Sequence, residues 1–208
     1  MQGNKEAIAR WLNQRQDAIS SAAQSVASAS DPRPFLNQGK DAGRFEQTFA
    51  GYADKRMIYN AADKKPSEGY DPTARPWYVM AKAKNEAITT APYVFSTTKK
   101  LGVSVGRAFD ANGVSGVVGG DISLEEVISI VTGIQLRGDG YAFLATRDGK
   151  IVAHAKPDST LKSVGEVMQG FDASALSASD GKVVVREMVV DGRAKYGGFG
   201  FSGVQTLI

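Results

Sequence analysis

The stretch LGVSVGRAFDANGVSGVVGGDI, residues 101–122, decides how the chain folds. Its β-branched residues flank Asp110-Ala111-Asn112-Gly113, a turn of hairpin length and composition. Leu101–Phe109 and Val114–Ile122 therefore read as two antiparallel strands. Thr89–Ser96 precedes them across Thr97-Thr98-Lys99-Lys100 and reads as a third, which makes a meander rather than a βαβ unit. The glycines of residues 113–120 lack the helix and Lys-Ser/Thr sequel of a phosphate loop, and suit close packing on a ligand or a neighbouring strand. Ser123–Thr132 then returns to helix. Ser123 stands at the N-cap, Glu126 at the capping-box position, and Leu124, Val127, Ile128 and Val131 form the apolar face.

Downstream the pattern starts again from Gly138. Tyr141–Thr146 and Lys150–His154 read as a hairpin about Asp148-Gly149, and Lys182–Val190 with Arg193–Phe201 as another about Asp191-Gly192. Short helical turns are expected at Val164–Met168 and Phe171–Ser177. Upstream, Asn4–Ser28 reads as one long helix, with Ile8, Trp11, Leu12, Ile19, Ala22, Ala23 and Val26 near a 3.6-residue period, and Asp31-Pro32-Arg33-Pro34 ends it. At 1.5 Å per residue it spans roughly 37 Å, which suits a stalk. Asp41–Tyr52 reads as a short helix or turn-rich segment, Arg56–Tyr59 as a strand, Lys64–Gly69 as a loop and Pro76–Asn85 as a helix. The fold class is α+β: a stalk-like helix over residues 1–30, then two modules over 31–134 and 135–208, each with an antiparallel sheet, the break lying in residues 133–139.

The 208-residue chain is 42% apolar and 23% charged, with a formal charge of +3. That is ordinary globular composition without a run of like charges, so neither wholesale disorder nor a nucleic-acid partner is expected. Cysteine is absent, which removes disulfides, Cys-ligated zinc, iron–sulfur clusters and a thiol nucleophile. The single histidine, His154, excludes a His-rich metal site and gives Ser-His-Asp catalysis little footing. It reads as a structural hydrogen-bonding residue. Glu125 and Glu126 are adjacent on a helix and do not share a face. No metal, cofactor or enzymatic activity is expected. Tyr196–Ile208, with Ala18–Ser30 one of the two longest stretches without Asp, Glu, Lys or Arg, is too short and glycine-rich to span a membrane, and no signal-peptide apolar region opens the chain.

The densest polar and aromatic group is YDPTARPWY, residues 70–78, at a loop-to-helix junction. The Arg75 guanidinium is a planar fork that fits a carboxylate through two charge-assisted hydrogen bonds. Trp77 can add an indole N–H, Tyr78 or Tyr93 a hydroxyl, and a helix starting at Pro76 favours an anion. Composition alone favours Trp77 and Tyr78 as core aromatics with Arg75 stacked on one of them. Asp121, at a strand end before a helix, reads either as a ligand-binding acid or as a brace for the turn.

Residues 70–78, Ala91-Pro92-Tyr93 and Gly116–Ile122 (GVVGGDI) together resemble the double Cache (dCache) sensing domains of bacterial chemoreceptors. Gly140–Leu144 with Asp148–His154 is similar to the opening hairpin of their membrane-proximal module, so the resemblance covers essentially the whole chain. It implies two PAS-like modules forming a periplasmic sensor of an inner-membrane methyl-accepting chemotaxis receptor, anchored by transmembrane helices outside the chain. A small ligand would bind in the membrane-distal module, and homodimerisation of the full receptor stays open. In the amino-acid-binding branch, the residues matching Arg75 and Trp77 hold the ligand carboxylate and the one matching Tyr70 shapes the site. Those matching Tyr93 and Asp121 hold the ammonium, together with an aspartate where this chain has Phe95.

A phenyl ring in place of that carboxylate removes charge compensation for an ammonium and makes the pocket end apolar. The expectation is a small organic acid without an amine, a C2–C3 monocarboxylate such as acetate or propionate, or a lactate-like hydroxy acid. At a ceiling of about 1.5 kcal/mol per heavy atom, propionate gains at most roughly 7.5 kcal/mol, a micromolar dissociation constant. The alternative is an amino acid or other amine-bearing acid paired by Asp121 alone. A secreted hydrolase or adhesion domain is disfavoured by the lack of a nucleophile–base pair.

Overall fold

The computed structural model describes residues 2–84, 86–133, 143–146, 149–168, 184–190, 193–202 and 204–207. The chain divides into two compact units, Leu12–Ser123 and Met1–Trp11 with Leu124–Ile208.

The long helix α1 (Gln2–Val26) forms as its uninterrupted pattern predicts. In the Leu12–Ser123 unit its residues Leu12, Ile19, Ala22, Ala23 and Val26 are buried. The Pro-x-Pro segment stops α1 but also opens α2 (Arg33–Gly43), with a proline in the first turn, where its missing N–H costs nothing. A Cβ added at Gly39 of α2 would stand 3.0 Å from the Cβ of Ala22, so small residues set the approach of these helices. The expectation of a short helix or turn over Asp41–Tyr52 is corrected here: α2 begins earlier, and Gln47–Tyr52 is strand β1, buried at every position. A strand covered on both faces carries no polar alternation, and its pattern mimics a helix segment.

The sheet of this unit runs β2-β1-β6-β5-β3, where β2 is Met57–Tyr59, β3 Ile88–Thr89, β5 Leu101–Ala111 and β6 Val114–Ser123. The β5–β6 hairpin turns at Asn112 and Gly113, both with positive φ (54° and 76°), as a two-residue primed turn requires. The single strand expected over Thr89–Ser96 is two short ones, because Pro92 offers no N–H to the ladder; β4 (Tyr93–Val94) pairs separately with β5. Helix α3 (Pro76–Ala83) lies against β5 and β6. On the opposite face the Thr48 hydroxyl donates to the Leu36 carbonyl of α2 at 2.6 Å. The glycines of β6 do permit close packing: a Cβ at Gly120 would stand 2.7 Å from the Phe45 ring, and one at Gly116 would meet Phe109 at 2.6 Å.

In the other unit α4 (Leu124–Thr132) precedes a sheet of order β8-β7-β11-β10-β9. Its strands are β7 (Phe143–Ala145), β8 (Ile151–Ala153), β9 (Val184–Val190), β10 (Arg193–Ser202) and β11 (Val204–Leu207). The hairpin expected from residue 182 is the β9–β10 pair, whereas β11 was not anticipated. Helix α5 (Val164–Val167) starts on a capping box of Ser163 and Glu166. His154 is buried, and its Nδ1 accepts the Lys156 amide at 2.9 Å, a local structural bond. The turn expected at Phe171–Ser177 and the break over residues 134–139 lie outside the described residues. Every strand pairing described is antiparallel, and no described helix is long and apolar enough to cross a membrane.

Candidate ligand-binding site

Strand register builds one end of the site. Asp121 of β6 lies directly opposite Gln47 of β1 and Ser104 of β5. Directly opposed residues of antiparallel strands share a face, so the three side chains form a row across the sheet. Ser104 Oγ donates to Asp121 Oδ1 at 2.5 Å and Gln47 Nε2 to Oδ2 at 2.7 Å. The Tyr93 hydroxyl is 2.6 Å from Ser104 Oγ and extends the row into β4. Gln47 Nε2 also donates to Thr97 Oγ1 at 2.9 Å, and Lys64 Nζ donates to Gln47 Oε1 at 2.9 Å.

Asp121 is 3% exposed. Burial pushes its carboxyl up to about 7, Glu46 adds to the rise, and the bonds from Ser104 and Gln47 and the charge of Lys64 oppose it. Among the described residues the side chains that touch its oxygens are neutral donors, and the Lys64 ammonium reaches it only through Gln47.

The 70–78 segment builds the other end. Asp71 Oδ1 accepts the Thr73 amide at 2.9 Å and its hydroxyl at 2.6 Å, which caps the single turn Pro72–Ala74. Lys55 Nζ braces Asp71 Oδ2 at 2.8 Å, and Lys55 followed by Thr73 holds the Asp71 carboxyl down to about 2. Arg75 follows in extended conformation (φ −84°, ψ 148°), and Pro76 starts α3 immediately after it. The Arg75 guanidinium carbon is 5.8 Å from the ring centroids of both Tyr70 and Tyr93, within reach of a cation–π attraction. Among the described residues Arg75 makes no ion pair. Burial raises the Tyr70 phenol above its ordinary value, with Ser96, Arg75 and Trp77 pulling it back, and burial followed by the Asp121 charge raises that of Tyr93.

Trp77 is 1% exposed and tilts against Phe49 at 4.8 Å between ring centroids. Gly51 makes room for it: a Cβ there would sit 2.6 Å from the indole. Phe95, 2% exposed, stands edge-on to Tyr93 at 5.3 Å and packs on Gly102, where a Cβ would collide with the ring.

These groups line a small cleft that is partly open to solvent. Tyr70, Arg75, Trp77, Tyr93, Phe95 and Asp121 all line it. Tyr78 does not. It sits one residue after Trp77 on α3, where consecutive side chains point about 100° apart, and packs edge-on to the indole at 5.7 Å within the core. The lining residues missed by sequence reasoning are Gln47, Phe49, Met57, Tyr59, Ser96 and Thr97. Gln47 and Phe49 fell in the segment misread as helix or turn. Ser104, a lone hydroxyl between two valines, was a legible signal that went unused.

The family described as "Methyl-accepting chemotaxis protein-like, first PDC sensor domain" matches residues 9–129. The methyl-accepting chemotaxis protein PctB of Pseudomonas aeruginosa is 32% identical over 164 residues, 77% of this chain. The chain spans 26% of that relative's length. Among solved structures, the ligand-binding domain of the Pseudomonas fluorescens chemoreceptor CtaA in complex with L-serine superposes with a TM-score of 0.82 at 30% identity, covering 99% of this chain and 90% of that one. The ligand-binding domain of the Pseudomonas aeruginosa amino acid chemoreceptor PctC in complex with GABA gives 0.74 at 26% identity, covering 98% and 92%.

Proposed function

The chain belongs to the methyl-accepting chemotaxis protein-like sensor-domain family, and from that premise we propose that it is the sensing part of a chemoreceptor whose cavity takes a small amino acid or another amine-bearing acid. The ligand carboxylate lies on Arg75 with Trp77 and Tyr70 beside it, and the ammonium lies toward Asp121 and Tyr93. One observation carries this reading: one small cavity presents the Arg75 guanidinium and the buried Asp121 carboxyl, and among the described residues the first makes no ion pair and the second takes its side-chain hydrogen bonds from neutral donors. A zwitterion satisfies both, and each charge so paired avoids the large cost of burying it alone.

The amine-free C2–C3 acid first expected becomes the second reading. Phe95 favours it, because a buried phenyl ring lines the cavity at the position where the family resemblance implies a second ammonium acceptor. Against it, such an acid is tolerated only with Asp121 protonated, and the L-serine and GABA complexes of the structural relatives support an amine. In the intact receptor the chain lies outside the cytoplasm, the module expected over residues 31–134 recognises the ligand, and that over 135–208 is membrane-proximal. Signalling follows if the ligand binds two receptor states with different affinity.

Calorimetry of this chain at neutral pH with L-alanine, L-serine, γ-aminobutyrate, acetate and propionate tests the reading. Heat from the amine-bearing acids, abolished by Arg75→Ala, is the expected result. Heat from acetate or propionate alone refutes it.

A further inference from the structure

We propose that Gln47 Oε1 is the acceptor that stands in for the carboxylate missing at Phe95, and that Lys64 occupies it as a tethered rival of the ligand's ammonium. The inference rests on the reading that an amine-bearing ligand points its nitrogen at Asp121.

The argument starts from the hydrogen-bonding capacity of one amide. Both Nε2 protons of Gln47 are committed, one to Asp121 Oδ2 and one to Thr97 Oγ1. That commitment fixes the orientation of the amide of Gln47, a residue of the cavity wall, and leaves its carbonyl oxygen to the Lys64 side. A carbonyl oxygen beside a carboxylate is a good second acceptor for an ammonium, which has three protons to place. In this structure the ammonium on Gln47 Oε1 is the protein's own: Lys64 Nζ, at 2.9 Å, reaching in from the exposed Lys64–Gly69 loop. Lys64 is thus chemically the same group as the one a ligand would bring. It also adds a like charge next to the site where the ligand nitrogen must sit, which opposes an incoming ammonium.

Binding then exchanges one ammonium for another on Gln47 Oε1, and the loop carrying Lys64 loses its tether as the ligand arrives. Such an exchange lowers affinity for amines and makes the loop report on occupancy. It separates Lys64 from a merely structural residue, since loss of a structural contact weakens binding whereas loss of a rival strengthens it.

The experiment measures L-alanine affinity by calorimetry for the wild-type chain, Lys64→Met, Lys64→Arg, Gln47→Leu and the Lys64→Met/Gln47→Leu double variant. Lys64→Met is expected to bind roughly two- to fivefold tighter, the range of an exposed charged contact. Lys64→Arg keeps the wild-type value. Gln47→Leu binds more weakly, and adding Lys64→Met to it brings a smaller gain than in the wild-type background, because the contested acceptor is gone and only the like charge is relieved. An unchanged or weaker Lys64→Met overturns the proposal, and so does an equal gain in the Gln47→Leu background, which would assign the effect to general charge. A wild-type chain that binds acetate but no amine instead sinks the reading on which this one rests.

Discussion

The pH dependence of binding discriminates the two ligand classes by its sign. Asp121 in the unliganded protein has its carboxyl raised to about 7 by burial. Only its ionised form pairs with an ammonium, so the apparent dissociation constant of an amine-bearing ligand is the intrinsic one divided by the ionised fraction. With that pKa the fraction is about 0.1 at pH 6 and about 0.9 at pH 8, so affinity rises roughly tenfold across those two units. For acetate or propionate the sign reverses, because an ionised Asp121 repels a second carboxylate and the neutral form tolerates it. The facing phenols Tyr59, Tyr70 and Tyr93 are all raised above their ordinary values and stay protonated throughout. Arg75 just before α3, Lys64 in the loop preceding it and Glu46 before β1 complete the charged surroundings. Calorimetry from pH 6 to 8, repeated on Asp121→Asn, checks this: the amide flattens the profile. An L-alanine affinity that falls with pH in the wild type refutes the reasoning. The same proton acts on folding. The folded value lies above the ordinary 3.8, so the contribution of Asp121 to stability is full below about 3.8 and is lost as pH rises through about 7. The unliganded chain accordingly melts lower at pH 8 than at pH 5, and Asp121→Asn loses that part of the difference.

Arg75→Ala removes two charge-assisted bonds to the ligand and lowers affinity about 10- to 100-fold by calorimetry, with the melting temperature little changed. Gly102→Ala drives a Cβ into the Phe95 ring and the Ile122 carbonyl, and destabilises the fold by about 1–3 kcal/mol in denaturant titrations. Phe95→Ala in the same chain relieves part of that clash, so the double variant loses less than the sum of the singles. Asp71→Asn removes the Lys55 ion pair and weakens the cap that holds the Pro72–Ala74 turn, so ligand affinity falls although Asp71 does not line the cavity. Because its folded value, about 2, lies below the ordinary one, the wild-type contribution to stability is present above about 3.8 and lost as pH falls through about 2. Thermal melts between pH 2 and 5 detect the difference from Asp71→Asn.

The chain by itself determined whatever depends on local pattern. The length of α1 follows from an unbroken helical period, the β5–β6 hairpin from Asn112-Gly113, and the placement of Arg75 before a helix from the prolines around it. Of the residues singled out in the sequence, Tyr70, Arg75, Trp77, Tyr93, Phe95 and Asp121 line the cavity. Tertiary structure alone decided what depends on pairing between distant segments. Gln47 and Asp121 are 74 residues apart, and only the β1–β6 register makes them neighbours. A strand buried on both faces, such as β1, erases the alternation by which strands are recognised, so its registry partners cannot be read in advance. Tyr78 shows the converse: adjacent to Trp77 in sequence, it is turned away from the cavity by the helix that carries both. The charge state of Asp121 belongs to the same class of property, since a carboxyl's affinity for its proton depends on the water taken from it and the donors set against it, and folding alone arranges both.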